Sequence, residues 1–223
     1  NSFLSASMIS CRFWECEREI DSSRASFIKQ TERARVDSAT NTESRGALSF
    51  YDNGNQTIAI ISVDLMVISA DFTRTVRQQV EQATGIPPQN ILVSCTHTHN
   101  APASEGLRGV GEVDPVYEAW AAREAATSAI LAWQNRESVT ISASATNVSG
   151  ITFNRTREGG PVDETATVLR IDRADNSPLA IVAGFQAHPT VATVLRPRSV
   201  SRDAPGQICD LIETAHPGCT AIY

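Results

Sequence analysis

The strongest constraint on the fold is a strand, helix, strand pattern in the first half of the chain. Two apolar runs, IAIISVDL over Ile58–Leu65 and ILVSCT over Ile91–Thr96, flank it. Between them, Ser69 is placed to cap a helix that Gly85 and the following prolines end. Its apolar stripe recurs at helical spacing and consists of Phe72, Val76, Val80 and Ala83. Such a unit favours parallel pairing through a right-handed crossover.

Other segments predict further strands and helices around this unit. ALSFYD, before the turn residues Asp52-Asn53-Gly54-Asn55, predicts a hairpin with the first apolar run. Asp114-Pro115 predicts the start of a long helix, and the strand SVTISASATNV after it suggests that the unit recurs. TATVLRID and PLAIVAGFQAH predict a second hairpin, followed by a helix over 204–214 and a strand from Cys219. The predicted apolar stripe of the long helix is Val116, Ala119, Ala122, Ala126, Ile130 and Trp133.

These elements predict an α/β fold with a mixed, mostly parallel sheet flanked by helices. Residues 46–223 carry the pattern. Residues 1–45 are poorly patterned, with one short helix expected near Phe13–Ile20 and otherwise loop. The opening NSFLSASMIS shows neither a basic leader nor an apolar core, so no signal peptide is visible.

Composition narrows the classes of function. The formal net charge of -6 argues against a protein that binds nucleic-acid phosphates. The five cysteines form no CxxC pair, so neither a cysteine zinc site nor a disulfide framework is indicated. No apolar run approaches the roughly 20 residues that span a bilayer. An ordinary globular protein without a transmembrane span is therefore expected.

Three of the four histidines fall at predicted strand ends. His97 and His99 would project from one face if strand geometry continued through them. His188 ends the strand before Pro189. Because ligand sites in open α/β sheets lie beyond the carboxyl ends of strands, these three side chains are expected to converge. They could hold a catalytic metal ion, or they could hydrogen-bond loop backbone, while His216 at a helix end suits the helix dipole.

Several segments, in order over about 45–223, resemble the neutral/alkaline (non-lysosomal) ceramidase family. TGIPPQNILVSCTHTHNAP resembles the family's strand followed by THTHS-G-P, and ITFNRT resembles its INRS segment. VDETATVLRID, GFQAHPT and SRDAPGQ resemble the strand, the F-x-x-HPT segment and the acidic loop that follow in that family. The resemblance implies that the chain is the first half of the catalytic domain of a zinc-dependent amide hydrolase.

The resemblance also implies roles for individual residues. His97 and His188 would ligate Zn²⁺, and His99 would be their catalytic neighbour. Arg155 would be a catalytic residue that donates to the amide oxygen of a ceramide or related lipid. Asp64, at the end of its strand, is expected either to orient a metal ligand or to serve a structural role.

The chain departs from the family in ways that define the alternatives. Asn100-Ala101-Pro102 stands where the family has Ser-Gly-Pro, and residues 1–45 do not resemble its opening. The family's remaining zinc ligands, a Glu and a Tyr, lie beyond Tyr223, so they are expected from residues beyond the chain end or from a partner chain. The alternatives are an inactive fragment or binding module, or a metal hydrolase of a small polar amide or ester. The resemblance further implies a secreted or membrane-surface location.

Overall fold

The computed structural model describes the strands Ala25–Phe27 (β1), Glu32–Ala34 (β2) and Ser44–Asp52 (β3), and residues 57–109 and 111–223. Side chains are described in the last two ranges only. The remaining elements follow in chain order: β4 Thr57–Val63, α1 Ala70–Thr84, β5 Ile91–Cys95, α2 Pro115–Gln134, β6 Glu137–Asn147, β7 Thr165–Asp172, β8 Pro178–Phe185, α3 Val191–Leu195, α4 Asp203–Ala215 and β9 Thr220–Ile222. A single 3₁₀ turn, Pro88–Asn90, precedes β5.

The described strands form two mixed sheets, which confirms the α/β class. One sheet has the order β2-β3-β4-β5 and the other β1-β6-β7-β8-β9. The prediction that parallel pairs dominate is wrong, because only β4 with β5 and β8 with β9 are parallel among the described pairs. β3 pairs antiparallel with β4, and a tight turn joins the antiparallel strands β7 and β8. The second strand, helix, strand unit does not close, since β6 pairs with β1 and β7 instead of β5.

Most elements predicted from periodicity and capping are confirmed. The Ser69 side chain accepts a hydrogen bond from the Phe72 N–H at 2.9 Å and caps α1. Gly85 ends that helix with φ 75°, a backbone conformation that glycine adopts without strain. Both predicted hairpins, the parallel β4–β5 pair, α4 and β9 are also present.

The N-terminal segment is only partly described. The helix predicted near Phe13–Ile20 lies outside the described residues. Within the segment predicted to be loop, β1 and β2 form short strands that pair antiparallel with β6 and β3. Three-residue strands carry too little periodicity to be recognised from the sequence.

A face of small residues packs α2 against α1. The buried residues of both helices belong to one core cluster: Phe72, Val76, Val80, Ala122, Ala125, Ala126, Ala129 and Ala132. The apolar stripe predicted for α2 does not coincide with the face of the helix that is buried, because Val116 is 77% exposed and Ala119 is exposed. Alanine side chains let two helices approach closely, so the small residues occupy the interface and the larger Val116 remains in solvent.

Substituting Ala126→Leu is expected to destabilise the protein by about 1–3 kcal/mol, because a fully buried position offers no room for three more carbon atoms. Chemical denaturation of the variant measures the free energy of unfolding. Ala119→Leu, on the exposed side of the same helix, is the matched control and should leave that free energy within about 0.5 kcal/mol. Equal effects of both variants would contradict the assignment of the buried face.

The two sheets meet where the Ser62 hydroxyl of β4 donates to the Tyr223 carbonyl at 2.6 Å. The carboxyl end of β5 leads into His97 and His99, and the carboxyl end of β8 leads into His188. Each sheet therefore contributes one segment to the region where the histidines lie.

None of the described helices combines the length and apolar character required to cross a bilayer.

Candidate metal centre

The segment that carries His97 and His99 leaves strand geometry before it reaches them. β5 ends at Cys95, and His97 has φ 64°, in the left-handed region. The expectation that a continuing strand would place both imidazoles on one face is therefore wrong. The turn is fixed by the His97 N–H, which donates to the Leu65 carbonyl at 3.0 Å. This hydrogen bond anchors the histidine segment to the loop that follows β4.

A second hydrogen bond orients the His97 ring. Nδ1 lies 2.6 Å from the Met66 carbonyl oxygen. A carbonyl only accepts hydrogen bonds, so this contact assigns the ring proton to Nδ1. The lone pair on Nε2 is then available, which is the arrangement that protein carbonyls impose on metal-binding histidines.

The other two histidines converge on that lone pair. His99 Nε2 lies 3.4 Å from His97 Nε2, and His188 Nε2 lies 2.9 Å from His99 Nε2. His97 and His99 are half-buried, and His188 is exposed. The structure thus brings together the three histidines that the sequence placed at strand ends.

Arg155 approaches the cluster from the loop before β7. Its guanidinium Nη1 lies 3.3 Å from His188 Nδ1. Arginine only donates, so Nδ1 of His188 accepts and the neutral ring carries its proton on Nε2, directed at His99. In this tautomer His99 Nε2 accepts from His188 Nε2, and the Nε2 lone pair of His97 faces the cluster 3.4 Å from His99 Nε2.

The donor set fits a metal ion. One ligand atom from each histidine lies within 4.8 Å of the others. Two ligands of a tetrahedral zinc ion, each at about 2.0–2.1 Å, are about 3.3 Å apart, close to the separations found here. The three residues His97, His99 and His188 could therefore hold a metal.

The surroundings keep two of the rings neutral. Burial, followed by the charges of His188 and His97, lowers the pKa of His99 below its ordinary value. Burial and the Arg155 guanidinium lower the pKa of His188. Neutral imidazole is the form that binds metal, so the environment favours the ligating state of both side chains.

Asp64 contacts the segment that leads into the site. It is buried, and its Oδ1 accepts from the Thr96 hydroxyl at 3.1 Å, next to His97. Its Oδ2 accepts from Arg202 Nε at 2.8 Å. Burial by itself lowers the pKa of Arg202, but the charges of Asp64, Cys209 and Asp210, together with the hydrogen bond to Asp64, raise that pKa overall. The resemblance in sequence placed Arg202 only within the segment SRDAPGQ and did not assign its partner, which lies 138 residues away.

Comparison with protein-family models finds no match, and neither does comparison with curated proteins. Solved structures do match. A ceramidase complexed with C2 superposes with a TM-score of 0.68 at 15% identity, over 90% of this chain and 34% of that one. The neutral ceramidase from Pseudomonas aeruginosa superposes with a TM-score of 0.62 at 13% identity, over 90% of this chain and 37% of that one. The chain has a ceramidase fold.

The ceramidase fold confirms the architecture that the ordered sequence segments implied. The chain spans about a third of the length of these ceramidases. At this level of identity the likeness concerns the fold alone. In this chain the histidine cluster lies at the carboxyl ends of β5 and β8.

Proposed function

We propose that the protein is a zinc-dependent hydrolase that cleaves the N-acyl bond of ceramide or a related lipid. The observation that carries this proposal is the convergence of three imidazole Nε2 atoms on one point in a ceramidase fold. Sites of this kind, with histidine ligands and room for water, are typical of catalytic zinc.

His97 and His188 are the proposed zinc ligands. When bound, zinc supplies a water molecule whose pKa is lowered to about 7, and hence a nucleophile at neutral pH. The Met66 carbonyl holds the Nδ1 proton of His97 and so directs Nε2 toward the site. His99, whose Nε2 is adjacent to both ligands, is placed to accept a proton from water or to hold the substrate hydroxyl.

Arg155 is proposed to polarise the substrate carbonyl. Its present partner, His188 Nδ1, accepts a hydrogen bond only while the proton of that ring is on Nε2. If His188 held a metal through Nε2, its ring proton would be on Nδ1 and that atom would no longer accept from Arg155. The guanidinium would then be available to donate to the amide oxygen and to the negative charge that develops there.

Exposed apolar side chains support a lipid substrate over a small polar one. Phe153 is 84% exposed and lies two positions before Arg155. Val191, Val194 and Leu195, in the helix after His188, are 59%, 78% and 73% exposed. Exposed apolar side chains this close in sequence to Arg155 and His188 match a substrate with an acyl chain.

Two histidines do not complete a zinc site. Tetrahedral zinc takes four ligands, of which a catalytic site leaves one to water. The proposal therefore includes further ligands, supplied from residues beyond Tyr223 or from a partner chain.

The proposal is tested by measuring hydrolysis of an N-acylsphingosine after zinc removal by a chelator and after zinc is added back. Activity should be lost and restored. Arg155→Met should lower kcat by about 10²-fold, the usual effect of losing one oxyanion donor. Arg157→Met, an exposed arginine two positions away, is the matched control and should retain activity.

Each contrary result would support a different function or remove a residue from the proposed mechanism. Hydrolysis of a short polar amide in preference to N-acylsphingosine would indicate a small-substrate hydrolase. Absence of bound zinc together with absence of hydrolysis would indicate a binding module. Retained activity in Arg155→Met would remove Arg155 from the mechanism.

A further inference from the structure

Three consecutive residues, Ser201, Arg202 and Asp203, contact the segments on which all three histidines lie. Ser201 and Arg202 lie between α3 and α4, Asp203 is the first residue of α4, and all three are far from His97 and His99 in sequence. Each makes hydrogen bonds to a different part of the site. Such an arrangement can fix the positions of the imidazoles relative to one another.

Ser201 holds the residues on both sides of His99. Its carbonyl accepts from the Thr98 hydroxyl at 2.6 Å, and its N–H donates to the Asn100 carbonyl at 2.8 Å. Thr98 is fully buried and Asn100 is 6% exposed. His99 is therefore carried between two fixed, buried neighbours.

Arg202 reaches the residue before His97. It donates to Asp64 at 2.8 Å, and Asp64 accepts from Thr96 at 3.1 Å. The side chains of Arg202 and Asp64 are 16% and 5% exposed, so the pair is shielded from water. Through this pair the backbone at His97 is tied to the start of α4.

Asp203 reaches the segment after His188. Its Oδ2 accepts from the Ala192 N–H at 2.7 Å, in the helix that follows His188, and its Oδ1 accepts from the Ala204 N–H at 2.6 Å. Asp203 is 9% exposed and has φ 55°, a left-handed conformation that is uncommon outside glycine. The surrounding hydrogen bonds hold this conformation in place, including that from its own N–H to the Ser201 hydroxyl at 3.0 Å.

We propose that Asp203 is a positioning residue of the metal centre, fixing the His188 segment against the His97 and His99 segment through its buried hydrogen bonds. This inference rests on the proposed metal site. It adds Asp203 to that site, whereas the resemblance in sequence placed Asp203 only in an acidic loop.

The test is Asp203→Asn, which keeps the side-chain size but removes the charge and one acceptor oxygen. Zinc affinity is measured by competition with a chelating dye, and the ligand geometry by the visible absorption of bound Co²⁺. Zinc should bind about 10–100-fold more weakly, the range found for groups that support metal ligands, with an altered Co²⁺ spectrum. Asp71→Asn, an exposed aspartate on α1, is the control and should bind zinc as the unmodified protein does.

The possible outcomes separate the two proposals. Failure of the unmodified protein to bind zinc would overturn the metal site and this inference together. Unchanged zinc affinity and an unchanged Co²⁺ spectrum in a folded Asp203→Asn protein would overturn this inference alone. Should that variant not fold, Asp203→Glu retains the charge but moves the carboxylate by one methylene. Weaker zinc binding by Asp203→Glu is then the expected result, and unchanged affinity would overturn the positioning role.

Discussion

Replacing His97 or His188 by alanine is expected to weaken zinc binding by more than about 10²-fold, because a lost ligand costs more than the 10–100-fold lost with a supporting group. Hydrolysis of N-acylsphingosine should fall to background in both variants. Zinc content by elemental analysis and a chelator competition measure the first effect, and a product assay measures the second. The structure supports a large effect at His97 in particular, since the Met66 carbonyl holds its ring with Nε2 directed at the other two histidines.

The matched control is His216→Ala, which removes a histidine at the end of α4 and should leave zinc content unchanged. His99→Ala separates the roles within the cluster. With His99 as the proton-handling residue, the variant keeps zinc and loses activity. Loss of zinc to the same extent as in His97→Ala would instead make His99 a third ligand. Normal zinc content and activity in His97→Ala and His188→Ala would contradict the proposed metal site.

Asp64→Ala is expected to destabilise the protein by about 3–5 kcal/mol, the usual cost of removing one partner of a buried ion pair. The variant removes the buried carboxylate at 2.8 Å from the Arg202 guanidinium, which is 16% exposed, and leaves it only the more exposed Asp210 at 3.2 Å. The loss of the Thr96 hydrogen bond adds to this cost. Chemical denaturation measures the change in the free energy of unfolding.

Asp71→Ala provides the comparison, because Asp71 also pairs with an arginine but is 81% exposed. Removing an exposed pair should cost only about 0–1 kcal/mol. The double variant Asp64→Leu with Arg202→Met should recover much of the lost stability, since apolar replacements of a buried pair are often neutral. A small effect of Asp64→Ala, similar to that of Asp71→Ala, would contradict the importance of the buried pair.

The elements that could be predicted from the sequence are those with local signals. Helix α1 has both a capping serine and a terminating glycine. Phe72, Val76 and Val80 of its predicted stripe are buried, whereas Ala83, the fourth predicted member, is exposed. The hairpin between β7 and β8 is marked by turn residues between two apolar runs. In these segments, neighbouring residues determine the conformation, so a short window of sequence is sufficient.

The features that escaped prediction depend on contacts between distant residues. His97 adopts φ 64° because its N–H and ring bond to the loop after β4, about 30 residues earlier. The approach of Arg202 to Asp64, and the assignment of β6 to the second sheet, likewise depend on tertiary contacts. The convergence of the histidines was predicted correctly from strand ends, although the continuing strand on which their common face depended is absent.

The division of the strands into two sheets has a consequence for how the molecule holds together. His97 and His99 extend from the sheet that contains β5, whereas His188 extends from the sheet that contains β8. A cation bound by His97 and His188 would be a cross-link between the sheets, joining two residues that are 91 positions apart in the chain. Ligand binding that is confined to the folded state raises stability in proportion to the logarithm of ligand concentration over its dissociation constant. The bound ion would therefore take part in the reaction and also stabilise the folded state. The concentration of metal would affect the free energy of unfolding as well as the rate of the reaction.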